Sequence, residues 1–370
     1  MISALHSPYI IDGIQQDLTP ARILDGCCRS AVTAAPPAGL EPVVDESCEA
    51  GLDAINLDQD PQTCLEKMNG LKRSVPLAFA SNYTRGLVAS ALIDALWHRG
   101  HFKIGDLALK AVWGLDPFKV GNMAAFYRSV EATGEYLDSL GLGLESYSLD
   151  ESGECTLGFE ACLADYGGPE NIFVDQPYRS EKPVLESGTV PCTLDPDPQS
   201  WIVYMPFDTA EYRLGGSLFA QATGQTGGVA PGIGDADYFL DCYEVVRELV
   251  EDGVAVSGAT VLEGGLYKAL YGMLGGKCGV SVDVSDMMKA FNEPNLTRIL
   301  FAEVPGVLIQ VRDLDFDYLD AELLLQDVAY FPLGHPVSSA GGIEVKASSK
   351  TGLQDILESL LRNQGGEGED

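Results

Sequence analysis

Two hydrophobic periods alternate along the chain, and this mixture limits the fold more than any single motif does. Apolar residues at Phe239, Tyr243, Val246 and Val250 recur about every 3.6 positions, which predicts a helix over residues 237–252. Strand-like and helix-like runs interleave without the regular spacing of parallel βαβ units. The pattern therefore predicts an α+β fold rather than a doubly wound sheet.

The same reasoning predicts the other regular elements. Helices are expected over residues 86–96, 122–140, 265–274 and 353–361, and strands over 75–80, 107–112, 155–162, 201–205, 254–257, 279–284, 306–312 and 343–346. Asp235 or Asp237 can cap the helix over 237–252, and Gly253 can end it. The Pro-rich, acidic stretch 176–200 is predicted to be a long loop.

The length of 370 residues suggests two domains and an extension, at about 150 residues per domain. We expect an irregular N-terminal extension over residues 1–74, a first domain over 75–210 and a second domain over 211–350. Residues 351–370 are expected to form a short helix followed by a disordered tail.

The charge of the chain argues against several classes of partner. The 55 acidic residues against 23 Lys and Arg give a net charge of −32, which disfavours both nucleic acid and anionic membranes. We find no signal peptide and no apolar run of about 18 residues, so no membrane association is expected. Nine cysteines without a C-x-x-C pair fit reduced thiols in a cytoplasmic protein.

Two glycine loops are candidates for ligand binding. Gly215, Gly216 and Ser217 precede a short helical run, where exposed backbone N–H groups could hold a phosphate; a simple tight turn is the alternative. Glu263, followed by Gly264 and Gly265, stands between a predicted strand and a predicted helix. Its carboxylate could bind a metal or a ribose, and a strand-to-helix turn is again the alternative.

Several segments, taken in order, resemble one protein family. The runs 107–113, 121–130 and 139–144 are followed by L-G-G-S-L-F-A-Q at 214–221, E-G-G-L at 263–266 and L-F-A-E-V-P-G-V-L-I-Q-V at 300–311. In this order and at these spacings they resemble the second AIR-synthase-like half of phosphoribosylformylglycinamidine synthase, over residues 75–335.

The resemblance implies a ferredoxin-like N-terminal part that pairs with its counterpart through sheet edges, followed by a separate α+β C-terminal part. It implies ATP-dependent carbon–nitrogen ligase chemistry in purine biosynthesis, with ATP or ADP and Mg²⁺ in a cleft between two halves. The candidate nucleotide contacts are the two glycine loops described above, 215–217 and 263–265. The resemblance also implies a homodimer or a partner synthase chain.

Site positions depart from the family pattern more than framework positions do. The family's nucleotide loop G-K-D-S-x-S-M corresponds to residues 145–149, which contain neither Lys nor Asp. Without the Lys, a phosphate loop lacks its main counter-charge. The family's acidic metal ligand falls on Asn122, and the Asn of its S-x-N-W segment falls on Val112. The box H-D-x-S-D-G-G-L loses its His and its first Asp at residues 259–266.

These departures lead to a hypothesis of a non-catalytic homologue that acts as a scaffold, dimer partner or regulatory partner. No catalytic residue is assigned, and Asn122 is the candidate for a weakened Mg²⁺ site. The alternative is a functional part of a split ATP-dependent synthase, in which the two glycine loops hold a structural nucleotide. The sequence contains no glutaminase signature.

Overall fold

The computed structural model describes residues 2–28, 38–47, 55–71, 79–98, 103–151, 153, 156–164, 190–225, 227–338 and 341–347. Its helices are α1 (Pro20–Cys27), α2 (Pro61–Met68), α3 (Ala80–Asp94), α4 (Asn122–Ser139), α5 (Leu218–Ala222), α6 (Ala236–Glu251), α7 (Gly265–Leu274), α8 (Ser285–Ala290), α9 (Leu296–Phe301) and α10 (Phe316–Leu325). Its strands are β1 (Tyr9–Ile11), β2 (Ile14–Gln15), β3 (Val43–Asp45), β4 (Leu107–Gly114), β5 (Leu144–Asp150), β6 (Thr156–Leu163), β7 (Trp201–Pro206), β8 (Ala255–Val261), β9 (Gly279–Asp283), β10 (Gly306–Val311), β11 (Phe331–Val337) and β12 (Ile343–Lys346).

The strands form three sheets, and the predicted α+β class is confirmed. A small sheet has the order β2-β1-β3, a second has the order β5-β4-β6, and a six-stranded sheet has the order β12-β9-β11-β7-β10-β8. Most neighbours in the six-stranded sheet are antiparallel, although β12 runs parallel to β9. The domain boundary expected near residue 210 stays a prediction. Strand β7 precedes this residue and pairs with β10 and β11, which follow it.

The sheet β5-β4-β6 buries one face against α3 and α4. Helix α4 connects β4 to the parallel strand β5, as a crossover between parallel strands requires. Leu109, Ala111 and Trp113 point inward and are buried. The indole Nε1 of Trp113 donates to Ser129 Oγ on α4 at 2.9 Å. On the opposite face of the sheet Val112 is 49% exposed, so that face is open to solvent.

The six-stranded sheet separates two apolar cores because alternate side chains of a strand point to opposite faces. In β10, Val307 and Ile309 pack into the core that contains α3, α4, α6 and α10. Leu308 packs into the core that contains α2, α5, α7 and α9. The candidate glycine loops lie at the start of α5 and α7, on this second face.

Most predicted helices and strands are confirmed within one or two residues, but the helix expected over 86–96 begins at Ala80, and the strand expected over 254–257 continues to Val261. The strand expected over 75–80 is wrong at its end, because Ala80 begins α3; residues 75–78 lie outside the described residues. The stretch 145–149, matched above to a nucleotide loop, lies within β5, where it pairs with β4. The predicted helix over 353–361 and the tail lie outside the described residues, as does most of the predicted loop 176–200.

The lead-in is not the irregular extension that we expected for residues 1–74. Its described residues form α1, α2 and the sheet β2-β1-β3. The carboxylate of Asp45 on β3 accepts hydrogen bonds from the N–H groups of Gly121 at 2.8 Å and Ala124 at 3.0 Å. The lead-in thereby caps the N-terminus of α4. None of the helices within the described residues combines the length and the hydropathy that a membrane crossing needs.

Replacing Asp45 by Ala is expected to lower the free energy of unfolding by about 0.5–2 kcal/mol, the range measured for losing an N-terminal helix cap. The cause is that two N–H groups in the first turn of α4 lose their acceptor. Urea denaturation measures the change, and Glu46→Ala at the exposed neighbouring position is the control. Equal stabilities for the two variants would show that the lead-in does not support α4.

Candidate functional site

The two glycine loops meet around one buried carboxylate. Loop 214–217 precedes α5, and loop 262–264 precedes α7. Oε1 of Glu303 accepts hydrogen bonds from the backbone N–H groups of Leu218 and Gly264, each at 2.9 Å. The first N–H groups of a helix have no intrahelical partner and carry partial positive charge. Glu303 therefore accepts hydrogen bonds from backbone N–H groups at the starts of both α5 and α7.

The structure thus brings the predicted nucleotide-binding residues into one place. They are Gly215, Gly216 and Ser217 before α5, and Glu263, Gly264 and Gly265 at the start of α7. The sequence reasoning quoted Glu303 only as part of a strand motif and missed its role. Its partners lie 85 and 39 residues away along the chain, so no local pattern reveals the contact.

Two backbone donors of the loop before α5, the N–H groups of Gly215 and Ser217, are already used within the protein. The N–H of Gly215 donates to Val229 O at 2.8 Å, and the N–H of Ser217 donates to Leu214 O at 3.1 Å. Oγ of Ser217 accepts from the N–H of Ala220 at 3.1 Å, as an N-cap residue does. A phosphate needs these N–H groups to point at it, and here they point at protein oxygens.

Close packing explains the glycines of this loop. Gly216 has φ +68°, and a Cβ at this position would lie 2.5 Å from Cδ2 of Phe79. A Cβ on Gly215 would lie 2.6 Å from the carbonyl carbon of Val229. The glycines let the ring of Phe79 and the backbone of Val229 approach the loop. They serve protein contacts where the sequence suggested the approach of a ligand.

Little space is left between the loops. The crevice bordered by Phe79, Tyr83, Gly216, Pro231 and Glu303 has a volume of about 20 Å³. A single water molecule needs about 10–15 Å³ measured in this way. Among the described residues, the crevice therefore has room for about one water and not for a nucleotide phosphate.

Glu263 is the predicted site residue with the most solvent contact. Its side chain is 41% exposed, and Lys268 Nζ lies 3.9 Å from its carboxylate. The hydroxyl of Tyr83 on α3 donates to Glu263 Oε1 at 3.4 Å. The N–H of Gly265 donates to Leu262 O at 2.9 Å and so closes the turn into α7. This geometry matches the turn alternative given for the E-G-G segment.

Two arginines border the loops, and both are paired with carboxylates. Arg85 on α3 lies 2.8 Å from Glu135 and also donates to Ile233 O at 3.2 Å. Arg213 forms two hydrogen bonds with Glu211, at 2.6 and 2.8 Å. Binding a phosphate with either guanidinium would require it to exchange an existing carboxylate partner.

Asn122, the candidate Mg²⁺ ligand, lies at the first residue of α4 and outside the crevice lining. It is buried, and its Nδ2 donates to Asp116 O at 3.0 Å. The neighbouring carboxylate of Asp45 caps the same helix. Within the described ranges no group of three or more His, Cys, Asp or Glu side chains is arranged to hold a metal ion.

A larger groove lies elsewhere on the molecule and contains none of the predicted site residues. It has a volume of about 1060 Å³ and is lined by α2, by α7 and by the edge strand β12, with Tyr267, Tyr271 and Ile343 among its walls.

Because the crevice between the glycine loops is small and the loop donors named above already have protein partners, the described residues there do not fit a nucleotide or its Mg²⁺, and we derive no chemical step through either.

The fold is of the AIR-synthase type. A structure of T. maritima PurL complexed with FGAR matches it with a TM-score of 0.51 and 14% identity, over 72% of this chain and 41% of PurL. The same PurL with ATP and PurLQS from Thermotoga maritima are less alike, with TM-scores of 0.46 and 0.47 and identities of 12% and 13%. They cover 73% and 72% of this chain and 39% of each matched chain.

Sequence comparison finds similarity to phosphoribosylformylglycinamidine synthases. Phosphoribosylformylglycinamidine synthase of Drosophila melanogaster is 30% identical over 161 residues, 40% of this chain and 12% of the fly protein. A probable chloroplastic or mitochondrial form from Arabidopsis thaliana is 24% identical over 277 residues, 75% of this chain and 19% of the plant protein. No family model matches. The chain is similar in sequence to phosphoribosylformylglycinamidine synthases, and it spans a fifth or less of the length of these relatives.

Proposed function

We propose that the chain is a non-catalytic homologue of one half of phosphoribosylformylglycinamidine synthase, acting as a scaffold or regulatory partner in purine biosynthesis. The observation that carries this proposal is the filled crevice between the glycine loops. Glu303 takes the place that an anion would have at the helix starts, and Phe79 packs onto Gly216. The framework segments resemble those of the family, whereas polar groups of the candidate site form hydrogen bonds within the protein.

The partner surface that we propose is the open face of the sheet β5-β4-β6. Lys110 and Val112 of β4 stand on it beside Ser146 and Ser148 of β5. Val112 is half-exposed at the centre of this face, and the residues paired with it on the two neighbouring strands, Ser148 and Gly158, are small, so a second unit can approach the backbone closely there. A sheet with one solvent-facing side is a common place for a second layer to pack.

The edges of the same sheet support the proposal. Within the described residues, β6 pairs with a strand on one side only, and β5 gains only one further bridge, between Cys28 and Leu144. Unpaired strand edges carry free backbone donors and acceptors that favour pairing with another chain. A second AIR-synthase-type unit, in a homodimer or in a partner synthase chain, is the occupant that the family resemblance implies.

Recovery of the tagged chain from its native cells tests this function. We expect a homodimer by sedimentation equilibrium or a synthase chain by mass spectrometry. Val112→Glu should weaken the association at least tenfold, about 1.4 kcal/mol, because it places a charge in the centre of the interface. Val44→Glu is the matched control, since Val44 is also an exposed valine on a strand.

Two results would contradict the proposed pairing. One is a chain that stays monomeric and recovers no synthase chain. The other is an association that responds equally to Val112→Glu and Val44→Glu, which would mean that the sheet face plays no part.

A further inference from the structure

Helix α10 carries a second exposed apolar surface, far along the chain from the glycine loops. Leu314, in the turn before the helix, is 82% exposed, and Leu325 at its end is 78% exposed. Tyr318 and Ala321 lie between them. Tyr318, Ala321 and Leu325 are spaced i, i+3 and i+7 and lie on the exposed side of α10, and Leu314 stands in the 3-10 turn Asp313–Asp315 that leads into it. We call this set the α10 stripe.

The stripe is additional to the surface that α10 needs for folding. Leu319 and Leu323 are buried and anchor the helix to the core below the six-stranded sheet. Phe316 packs on Trp201, with ring centroids 5.0 Å apart. The helix is therefore apolar on two sides, and the inner side alone accounts for its packing. A contiguous exposed apolar surface is a common sign of a protein contact.

Carboxylates border the α10 stripe on both sides. Residues 312–327 contain six acids, Asp313, Asp315, Asp317, Asp320, Glu322 and Asp327, and one base, Arg312. Asp252 at the end of α6 adds another carboxylate, which accepts a hydrogen bond from the hydroxyl of Tyr318 at 2.8 Å. An occupant must therefore offer apolar side chains in the middle and positive charge at the edges.

We propose that the α10 stripe docks a basic amphipathic helix of a partner protein. Charge selects this occupant over the others. A second copy that docked through its own α10 stripe would bring the same acidic border, so the two borders would repel. An anionic membrane is disfavoured for the same reason. A helix with leucines on one face and lysines beside them matches both features of the surface.

The experiment uses the full chain and a fluorescein-labelled 18-residue probe of Leu and Lys, with the leucines spaced as one helical face. A shuffled peptide of the same composition controls for charge. Fluorescence anisotropy should show at least tenfold tighter binding of the striped probe. The double variant Leu314→Gln/Leu325→Gln should lose at least tenfold in affinity for it. The control Ile14→Gln/Val44→Gln removes two apolar side chains elsewhere that are 67% and 70% exposed, and it should not change the affinity.

Several results would overturn the proposal. Equal binding of the striped and shuffled probes, or equal loss in the two double variants, would reduce the effect to diffuse charge attraction. No binding of the striped probe would mean that the surface is covered or inert. Self-association of the chain that Leu314→Gln/Leu325→Gln abolishes would assign the stripe to a second copy. These results are independent of Val112, so failure here is distinguishable from failure of the proposed function.

Discussion

Replacing Glu303 by Ala is expected to destabilise the protein by about 2–6 kcal/mol. The change removes the acceptor of the N–H groups of Leu218 and Gly264, and Glu303 itself is buried. A buried donor left without a partner costs about 1–3 kcal/mol, and two donors are affected. The loss also removes a negative charge from the positive ends of two helices. Urea denaturation followed by far-UV circular dichroism measures the change.

The matched variant for this prediction is Glu303→Gln. Its amide oxygen can still accept both hydrogen bonds, since both reach the same carboxylate oxygen. We therefore expect a smaller loss, below about 2 kcal/mol, that reflects the missing charge at the helix starts. If Glu303→Ala were no less stable than Glu303→Gln, the carboxylate would not be joining the two loops.

Replacing Gly265 by Ala is expected to cost about 2–5 kcal/mol. Gly265 has φ +66°, a conformation that costs a residue with a Cβ about 1–2 kcal/mol. Its Cβ would also lie 2.6 Å from Leu300 O and 2.7 Å from the backbone of Phe301, which cannot move aside as a side chain can. Overpacking of this kind adds about 1–3 kcal/mol. Thermal or urea unfolding gives the value.

Helix α7 supplies its own control for this prediction. Gly272 lies in the same helix, and a Cβ there meets no atom within 4 Å. Gly272→Ala should stabilise the protein by about 0.5–1 kcal/mol, because Ala loses less backbone entropy than Gly in a helix. Opposite signs for the two variants are the expected result. Equal effects would show that the turn before α7 is not as tightly packed as described.

Local patterns predicted the regular elements where a strong period coincided with a clear end. Helix α6 is the best example: Asp235 caps it through a hydrogen bond from the N–H of Tyr238, and Gly253 follows it with φ +71°. The lead-in was harder to predict because its strands are two or three residues long, too short to show a period. Its role also depends on Asp45 reaching a helix 76 residues away.

The sequence identified the two glycine loops but not the residues that surround them. The glycine loops were found as sequence segments, and the structure brings them together. Their environment depends on Glu303 and Phe79, which lie far from both loops along the chain. For residues 145–149, the alternation of Tyr147 and Leu149 with the serines at 146 and 148 indicates a strand. The family resemblance predicted a nucleotide loop at that place, and the structure has a strand there.

Nucleotide binding by the purified full chain tests the central claim most directly. A fluorescent ATP analogue with Mg²⁺ is titrated against the chain while formation of ADP is assayed in parallel. The filled crevice predicts no saturation up to about 1 mM nucleotide and no turnover. Saturable binding with a dissociation constant of about 1 μM would contradict a non-catalytic homologue and would favour a working part of a split synthase.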